Sequence, residues 1–382
     1  MEWHFKNRRQ NGFSYTKETI HFPLQEVWSL TLSEAIPDTP IYAESAIFVS
    51  ALDQFYKLDS ATGKIHWSIK PDTAIRPSPS YYNGKIYFSS STWGILHCVD
   101  SVSGKEITRL DTGISAGSCR IVDDKIYLIC GKGKDKKQVQ GFACYSLENM
   151  SEIWFHASEV GVSTETCAIE NSILVYGDVA GIVYGLNSLT GTEIWRLNIQ
   201  DWIPPRKEQF DKIAISHAIG TPIIVGNVVI IIAETPGQTF GLDLKTGQVL
   251  WLYKTEERLW NYHGMGVGDK NWHCLTMFRK DPMQYISVEI KTGNVVLKKD
   301  ISIYKEALGI MNVFSRTGLV IGDYHFIGIY DPARVAAFNK NTGELVWSHS
   351  TDRSKLRGDG RGIYADGKLI WVRNTGDIYC FE

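Results

Sequence analysis

Residues 56–67 read YKLDSATGKIHW, and this stretch decides the fold. Its first half alternates apolar and polar residues as a β-strand does, and an Asp-x-x-Thr-Gly turn follows. Gly63 can supply the positive φ that such a turn needs, and the Asp59 carboxylate can accept hydrogen bonds from the turn backbone. The second half ends at Trp67, a side chain large enough to fill the space between two packed sheets. The stretch therefore predicts a β-hairpin with a structural tryptophan.

The hairpin pattern recurs along the chain at intervals of about 40 to 56 residues. The further copies are HCVDSVSGKEIT (97–108), YGLNSLTGTEIW (184–195), FGLDLKTGQVLW (240–251), ISVEIKTGNVVL (286–297) and AAFNKNTGELVW (336–347), with a degenerate copy at ACYSLENMSEIW (143–154). A second hairpin precedes each copy, with turns such as YNGK (82–85) and ADGK (365–368) between apolar runs. Four antiparallel strands per unit, without helical periodicity, predict the blade of a β-propeller.

The last blade is predicted to be split between the two ends of the chain. DIYCFE (377–382) matches the strand before the turn, and EVWSLTL (26–32) matches the strand after it. Joining them in one blade covers the strand edges that an incomplete ring would expose. We therefore predict an all-β, eight-bladed β-propeller with four antiparallel strands per blade, whose last blade is closed by the N-terminal strand. Residues 26–382 form this single domain, and residues 1–25 form an N-terminal extension.

The repeat resembles the tryptophan-docking motif of the pyrroloquinoline quinone (PQQ)-like propeller family, Y-x-L-D-x-x-T-G-x-x-x-W, from about residue 25 to 382. The resemblance specifies the fold. The family includes quinoprotein dehydrogenases, which bind PQQ, and the propeller lipoprotein of the outer-membrane assembly machinery, which is not an enzyme. The dehydrogenases imply a pair of adjacent cysteines beside the cofactor and a calcium ion, and no two cysteines are adjacent here. We therefore expect a non-enzymatic member without a cofactor.

Composition limits the partners and the location. The net charge of −2 disfavours nucleic acid as a partner, because nucleic-acid binders carry a basic surface. The first residues contain no apolar signal segment, and no apolar run is long enough to insert into a membrane. Seven scattered cysteines without a C-x-x-C pair indicate neither a disulfide framework nor a zinc site. We therefore expect a cytoplasmic protein, monomeric on its own.

Loop length identifies the candidate binding face. Turns within hairpins are short on one face of the predicted propeller, whereas connections between blades on the other face are long, as at 199–216 and 349–360. Long loops on a rigid scaffold are where function usually lies, and exposed Trp, Tyr and Arg are enriched at binding hot spots. The alternative is that the aromatic residues cap the core and the charges are simply solvated. The candidate partner-binding residues are Trp202, Arg206, Trp260, His263, Arg353, Arg357 and Arg361.

Motifs for catalysis are missing from the sequence. It has no G-x-S-x-G elbow, no H-E-x-x-H and no Walker loop, so we assign no catalytic residue and no metal ligand. The leading hypothesis is a non-catalytic propeller that binds a partner protein through its long-loop face. An immunity or accessory protein is one form of this hypothesis, by analogy alone. The alternative is a small-ligand binder or PQQ-dependent oxidoreductase that uses the axial funnel.

Overall fold

The chain forms eight four-stranded antiparallel sheets, arranged as the blades of a propeller. This computed structural model describes residues 2–5, 8–12, 14–90, 94–113, 117–132, 139–162, 166–202, 220–233, 238–253, 263–276, 283–308, 318–330, 332–353 and 358–382. The first strand in sequence, β1 (Glu26–Thr31), belongs to the last blade. The prediction of an eight-bladed propeller closed by an N-terminal strand is confirmed.

The first four blades follow one another along the chain. Blade 1 holds β2 (Ile41–Ala43), β3 (Ala46–Ala51), β4 (Gln54–Asp59) and β5 (Ile65–Ile69). Blade 2 holds β6 (Ser80–Tyr82), β7 (Lys85–Ser89), β8 (Ile95–Asp100) and β9 (Glu106–Asp111). Blade 3 holds β10 (Arg120–Val122), β11 (Lys125–Lys132), β12 (Val139–Ser146) and β13 (Glu152–Ala157), and blade 4 holds β14 (Ala168–Glu170), β15 (Ile173–Gly177), β16 (Ile182–Asn187) and β17 (Glu193–Asn198).

The remaining blades repeat this order. Blade 5 holds β18 (Ile223–Val225), β19 (Val228–Ala233), β20 (Gln238–Asp243) and β21 (Val249–Tyr253). Blade 6 holds β22 (His263–Val267), β23 (Asn271–Thr276), β24 (Gln284–Glu289) and β25 (Val295–Asp300). Blade 7 holds β26 (Leu319–Ile321), β27 (Tyr324–Ile329), β28 (Arg334–Asn339) and β29 (Leu345–Ser350), and blade 8 holds β30 (Gly360–Ala365), β31 (Lys368–Arg373), β32 (Asp377–Phe381) and β1. Short helices follow two blades, at Ile199–Trp202, Ser302–Tyr304 and α1 (Lys305–Leu308).

The order of strands within each blade runs from the axis outwards. The first strands of neighbouring blades contact each other around the centre, for example β2 with β6 and β26 with β30. The middle strands are almost wholly buried, whereas the outermost strands alternate exposed and half-buried residues. This gradient places the hydrophobic core between the blades, as a propeller requires.

Tryptophans of the repeat join several of the blades to the next blade. The Trp195 indole N–H of blade 4 donates a 2.9 Å hydrogen bond to the Leu244 carbonyl of blade 5. The ring lies against Gly247, where a Cβ would come within 2.5 Å of it and where φ is +69°. Only glycine allows both this turn and this approach. Trp28, Trp67, Trp154 and Trp251 dock in the same way on the turns that hold Gly63, Gly104, Gly191 and Gly293.

The ring closes through blade 8, where β1 pairs antiparallel with β32 from Thr31 opposite Asp377 to Glu26 opposite Phe381. Gln25 and Glu382 exchange backbone hydrogen bonds of 2.8 and 3.0 Å where the other blades have their turn. The Trp28 indole N–H donates a hydrogen bond to the Ser60 carbonyl of blade 1. Tryptophan docking therefore continues across the junction of the two chain ends.

The two faces of the propeller differ in their connections. The tight-turn face carries the short turns that join the first strand of a blade to the second and the third to the fourth. The long-loop face carries the turns between the second and third strands and the connections from one blade to the next. Residues 2–5, 8–12 and 14–20 lie along the tight-turn ends of the inner strands, with bridges from Trp3 to Tyr42 and from Thr16 to Ile321.

Candidate functional site

The long-loop face of blades 3 to 5 is built on a network of backbone hydrogen bonds between loops. Gly161, in the connection from blade 3 to blade 4, accepts a 3.0 Å bond from the Val179 N–H. Gln140 of blade 3 accepts a 2.8 Å bond from the Ser158 N–H. The Gln200 side chain donates a 2.7 Å bond to the Ala180 carbonyl. These bonds fix three loops of different blades as one surface.

Exposed apolar side chains occupy this surface. Val160 is 57% exposed and Trp202 is 44% exposed. The exposed fractions of Val139 and Val179 are similar to that of Trp202. All four lie in or next to the loops that the network joins. Single exposed aliphatic residues are ordinary on protein surfaces, but several exposed apolar residues in loops that hydrogen bonds hold together are typical of an interaction site. We call Val139, Val160, Val179 and Trp202 the apolar patch.

Charged side chains border the apolar patch. Arg196 donates to Glu159 at 2.5 Å and to Glu193 at 2.7 Å, and its guanidinium lies 5.5 Å from the centre of the Tyr184 ring. The hydrogen bonds that Arg196 donates to Glu193 lower the pKa of Glu193. The same bonds raise the pKa of Arg196. Burial lowers the pKa of His156, which lies beside Glu193. The border therefore combines a fixed cation with carboxylates, and it surrounds an apolar centre.

A buried carboxyl lies below this border. Asp178 accepts backbone hydrogen bonds from Ala180 and Ile182 and a 3.2 Å bond from the Tyr184 hydroxyl. Burial raises the pKa of Asp178 despite these bonds, and it raises the pKa of Tyr184 to about 12. Because Asp178 holds the turn that carries Val179, its role is to shape the apolar patch.

The predicted site residues do not form one cluster. Trp202 ends the helix after blade 4, whereas Arg353 follows β29 of blade 7 on another part of the ring. The Arg353 guanidinium donates to Ser29 of β1, and the Arg353 N–H donates to the Tyr379 hydroxyl at 2.9 Å. Trp202 is therefore the predicted residue that lies in the apolar patch.

Arg361 lies at the inner strand of blade 8, and its guanidinium is bound within the protein. It donates to the Pro37 carbonyl, lies 3.4 Å from Asp38 Oδ1 and lies 3.6 Å from Asp359 Oδ2. Its side chain is only 18% exposed. Arg206, Trp260 and Arg357 lie outside the described residues. His263 begins β22, and its side chain also lies outside the described part.

Asp38 is a site residue that the sequence analysis missed. It is buried, and its carboxylate accepts backbone hydrogen bonds from Thr39 at 2.7 Å and from Ser78 at 3.1 Å, besides its pairing with Arg361. It thus joins blades 8, 1 and 2 at the long-loop end of the axis. The residue stands in a Pro-Asp-Thr-Pro loop and outside the repeat motif, so no spacing signal could have identified it.

Buried hydroxyl groups precede inner strands at the long-loop face. Ser78 Oγ, Ser118 Oγ and Thr166 Oγ1 have no hydrogen-bond partner among the described residues, and they precede the inner strands of consecutive blades. In the described part of the chain, no group of three or more His, Cys, Asp or Glu residues could hold a metal ion. The described donors therefore do not fit the calcium and PQQ of quinoprotein dehydrogenases, and we derive no chemistry from that cofactor.

Comparison with known proteins identifies related sequences. A family model described as outer membrane protein assembly factor BamB matches residues 25–201 and 143–310. A curated protein of the same name from Nitrosomonas eutropha is 26% identical over 262 residues. This alignment covers 65% of this chain and 54% of the relative, so the chain spans about half the length of the curated relative that it matches. The predicted resemblance to a PQQ-like propeller is confirmed.

Solved structures share the architecture. The crystal structure of BamB from Moraxella catarrhalis superposes with a TM-score of 0.69 at 14% identity, covering 94% of this chain and 100% of that one. The quinohemoprotein alcohol dehydrogenase from Comamonas testosteroni gives a TM-score of 0.73 at 12% identity. The superposition covers 100% of this chain and 80% of that one. At these identities the likeness shows the fold alone.

The predicted cytoplasmic location is wrong. The family model and the curated relative both carry the name of an outer membrane protein assembly factor, which points to the outer membrane and not to the cytoplasm. The prediction rested on cysteine usage and on the first residues of the chain, and neither is a marker of location in itself. Among the helices of the described residues, none has the length and apolar character needed to cross a membrane.

Proposed function

We propose that this chain, which belongs to the family of the outer membrane protein assembly factor BamB, is a non-catalytic propeller that binds a partner protein through its long-loop face. The apolar patch of blades 3 to 5 is the observation that carries this proposal. Val179 is exposed although its backbone N–H donates to the Gly161 carbonyl of another loop, and the exposed Val160 directly precedes Gly161. A rigid apolar surface loses little conformational entropy when a partner covers it.

The partner that fits this surface is a protein with an apolar centre and a charged rim. Trp202 supplies a flat aromatic contact at the patch, and Arg196 with Glu159 and Glu193 supplies paired charges at its border. Interfaces are commonly built as an apolar core with a polar rim. Given the name of the relatives, we propose a component of outer-membrane protein assembly as the partner. The other predicted residues, Arg206, Trp260, His263, Arg353, Arg357 and Arg361, remain proposed contacts.

Paired variants test this function. Val160→Glu with Val179→Glu adds carboxylates to the apolar patch, whereas Val102→Glu with Leu189→Glu adds the same charge to exposed turns of the tight-turn face. Affinity capture with quantitative mass spectrometry compares the two double variants with the unchanged protein. We expect partner recovery to fall at least about tenfold for the patch variant only, which corresponds to about 1.4 kcal/mol. Equal recovery with both variants contradicts the proposed face.

A small ligand in the axial funnel is the second candidate function. The buried hydroxyls of Ser78, Ser118 and Thr166, without partners in the described residues, favour it. A ligand at about 100 times its dissociation constant stabilises the folded state by about 2.7 kcal/mol. Thermal unfolding with PQQ and calcium therefore separates the candidates. No shift together with loss of capture by the patch variant supports the interaction propeller, and a clear shift supports the ligand binder.

A further inference from the structure

We infer that the mouth of the axial channel on the tight-turn face is a binding site for a peptide segment, and that the N-terminal segment of this chain, described at residues 2–5, 8–12 and 14–20, is its resident occupant. This site lies at the opposite end of the channel from the apolar patch. It therefore does not depend on the proposed function.

The first part of the segment binds blades 1 and 2. The Trp3 N–H donates to the Tyr42 carbonyl at 2.8 Å, and the Tyr42 N–H donates back to the Trp3 carbonyl at 2.9 Å. The next residue, His4, accepts a 2.9 Å bond from the Tyr81 N–H of blade 2. Tyr42 and Tyr81 both lie on the inner strands, so the segment binds strand edges that face the axis.

The middle of the segment crosses to blades 4 and 5. The Ile169 N–H donates to the Gln10 carbonyl and the Ile224 N–H donates to the Asn11 carbonyl, both at 2.9 Å. The Asn11 amide also donates to Glu170 Oε2 at 3.1 Å. Consecutive residues of the segment thus bind the inner strands of consecutive blades.

The last part reaches blades 7 and 8. The Thr16 N–H donates to the Val320 carbonyl at 3.2 Å, and the Gly322 N–H donates to the Thr16 carbonyl at 2.8 Å. The Tyr364 hydroxyl lies 3.5 Å from the Thr19 carbonyl. Inner strands present backbone groups to the axis, and the segment satisfies some of these groups through isolated bridges, although its own backbone also turns, with the Gly12 N–H donating to the Arg9 carbonyl.

Buried side chains give the site its specificity. Trp3, Tyr15 and Ile20 are almost completely buried, whereas the interspersed residues Arg9 and Lys17 are exposed. Lys340 of blade 7 lies 5.0 Å from the centre of the Tyr15 ring. Main-chain bonds combined with buried side chains are a usual mode of peptide recognition. The fitting ligand is a segment with buried, spaced aromatic residues and exposed charged residues between them.

Gly12 marks the closest approach of the segment to the propeller. A Cβ at this position would lie 2.5 Å from the Pro222 carbonyl oxygen, and φ is +75°. Both facts disfavour any other residue there. The connection to β1 leaves the inner strands: His21, Pro23 and Gln25 are exposed, while Phe22 and Leu24 pack against Trp347 in the last strand of blade 7. Cutting the chain here leaves β1 and its pairing with β32 in place.

Peptide exchange tests the inference. A protease site is inserted between His21 and Phe22 in the full chain, which is then cleaved and mixed with a labelled peptide of residues 2–21. We expect the cleaved segment to remain bound after gel filtration and to exchange with the labelled peptide. Peptides with Trp3→Ala or Gly12→Ala should bind at least about tenfold more weakly, and a Lys17→Ala peptide within about twofold.

Three results would overturn the inference. Equal binding of a peptide with the same composition in scrambled order would show that no specific site exists. Failure of the labelled peptide to exchange would show that the segment is not a replaceable ligand. Unfolding of the propeller as the segment leaves, followed by circular dichroism, would show that residues 2–20 are an integral part of the fold.

Discussion

The Thr31 hydroxyl on β1 donates a 2.8 Å hydrogen bond to Asp377 Oδ1 on β32, so a side-chain contact joins the two strands that close the ring. Asp377 also binds Arg373, whose guanidinium lies 3.2 Å away and is buried. Arg373 in turn donates to the Thr351 carbonyl at 2.6 Å. The closing blade thus holds a buried ion pair at the point where the N-terminal strand is added.

Removing Asp377 should destabilise the protein severely. Asp377→Ala leaves the Arg373 charge buried without its carboxylate, which costs about 3–5 kcal/mol. Thr31→Val removes only a neutral hydroxyl and should cost about 0.5–1.5 kcal/mol. Urea unfolding measures both values. An Asp377→Ala protein as stable as the Thr31→Val protein would show that the ion pair does not hold the closing blade.

Deleting residues 1–33 should cause aggregation or a large loss of stability, because β32 would lose its partner β1 and become an exposed edge. A protein that begins at residue 21 is the matched control, since it keeps β1. Gel filtration and thermal unfolding compare the two. If the longer deletion stays monomeric with an unchanged melting temperature, blade 8 does not need β1.

Trp195→Ala should cost about 3–5 kcal/mol, the usual range for truncating a large core side chain. The lost contacts include the hydrogen bond to Leu244 and the packing on Gly247. Gly247→Ala should also destabilise, because its Cβ would collide with the indole ring at a positive φ. Chemical denaturation gives the free energies of unfolding. A Trp195→Ala protein that stays fully stable but no longer captures its partner would give the tryptophan a binding role instead.

Stability should fall as the pH drops below about 6.5, the ordinary pKa of histidine. His273 is buried between blades 6 and 7, and burial together with His325 and Lys340 lowers its pKa well below the ordinary value. Between the folded and unfolded pKa the unfolded chain binds more protons, so acid favours unfolding by up to about 1.4 kcal/mol per pH unit.

Urea unfolding at several pH values checks this dependence. His273→Asn should flatten the acid slope, whereas His21→Asn, at an exposed position, should leave it unchanged. An unaltered slope in the His273→Asn protein would assign the acid sensitivity to other groups.

Two arginines of the predicted site should differ in their effect on stability. Arg361→Gln removes a partner of the buried Asp38 carboxylate and should cost about 1–3 kcal/mol. Arg353→Gln changes an exposed side chain and should cost no more than about 0.5 kcal/mol. Thermal unfolding of both variants checks the difference. Equal stability of the two would mean that Arg361 is as free to contact a partner as Arg353.

The repeat made the fold predictable from sequence, whereas the apolar patch was not predictable. Each Asp-x-x-Thr-Gly turn and its tryptophan reports a local hairpin, and β1 is recognisable because Trp28 repeats the pattern. Val160 and Val179 lie in different loops, which the hydrogen bond from the Val179 N–H to the Gly161 carbonyl joins. The course of the described parts of the N-terminal segment was equally unpredictable, because irregular backbone has no sequence periodicity.

The pairing of β1 with β32 also has a consequence for synthesis on the ribosome. The residues that meet in this blade, Thr31 and Asp377, are separated by 346 positions. At about 5–20 residues per second, β1 waits roughly 20–70 s for its partner strand. Until β32 has been synthesised, the growing chain is an open arc with the unpaired strand β1 at one edge. The ring cannot close before that point, and termination before it leaves both edges of the arc available for pairing with other chains.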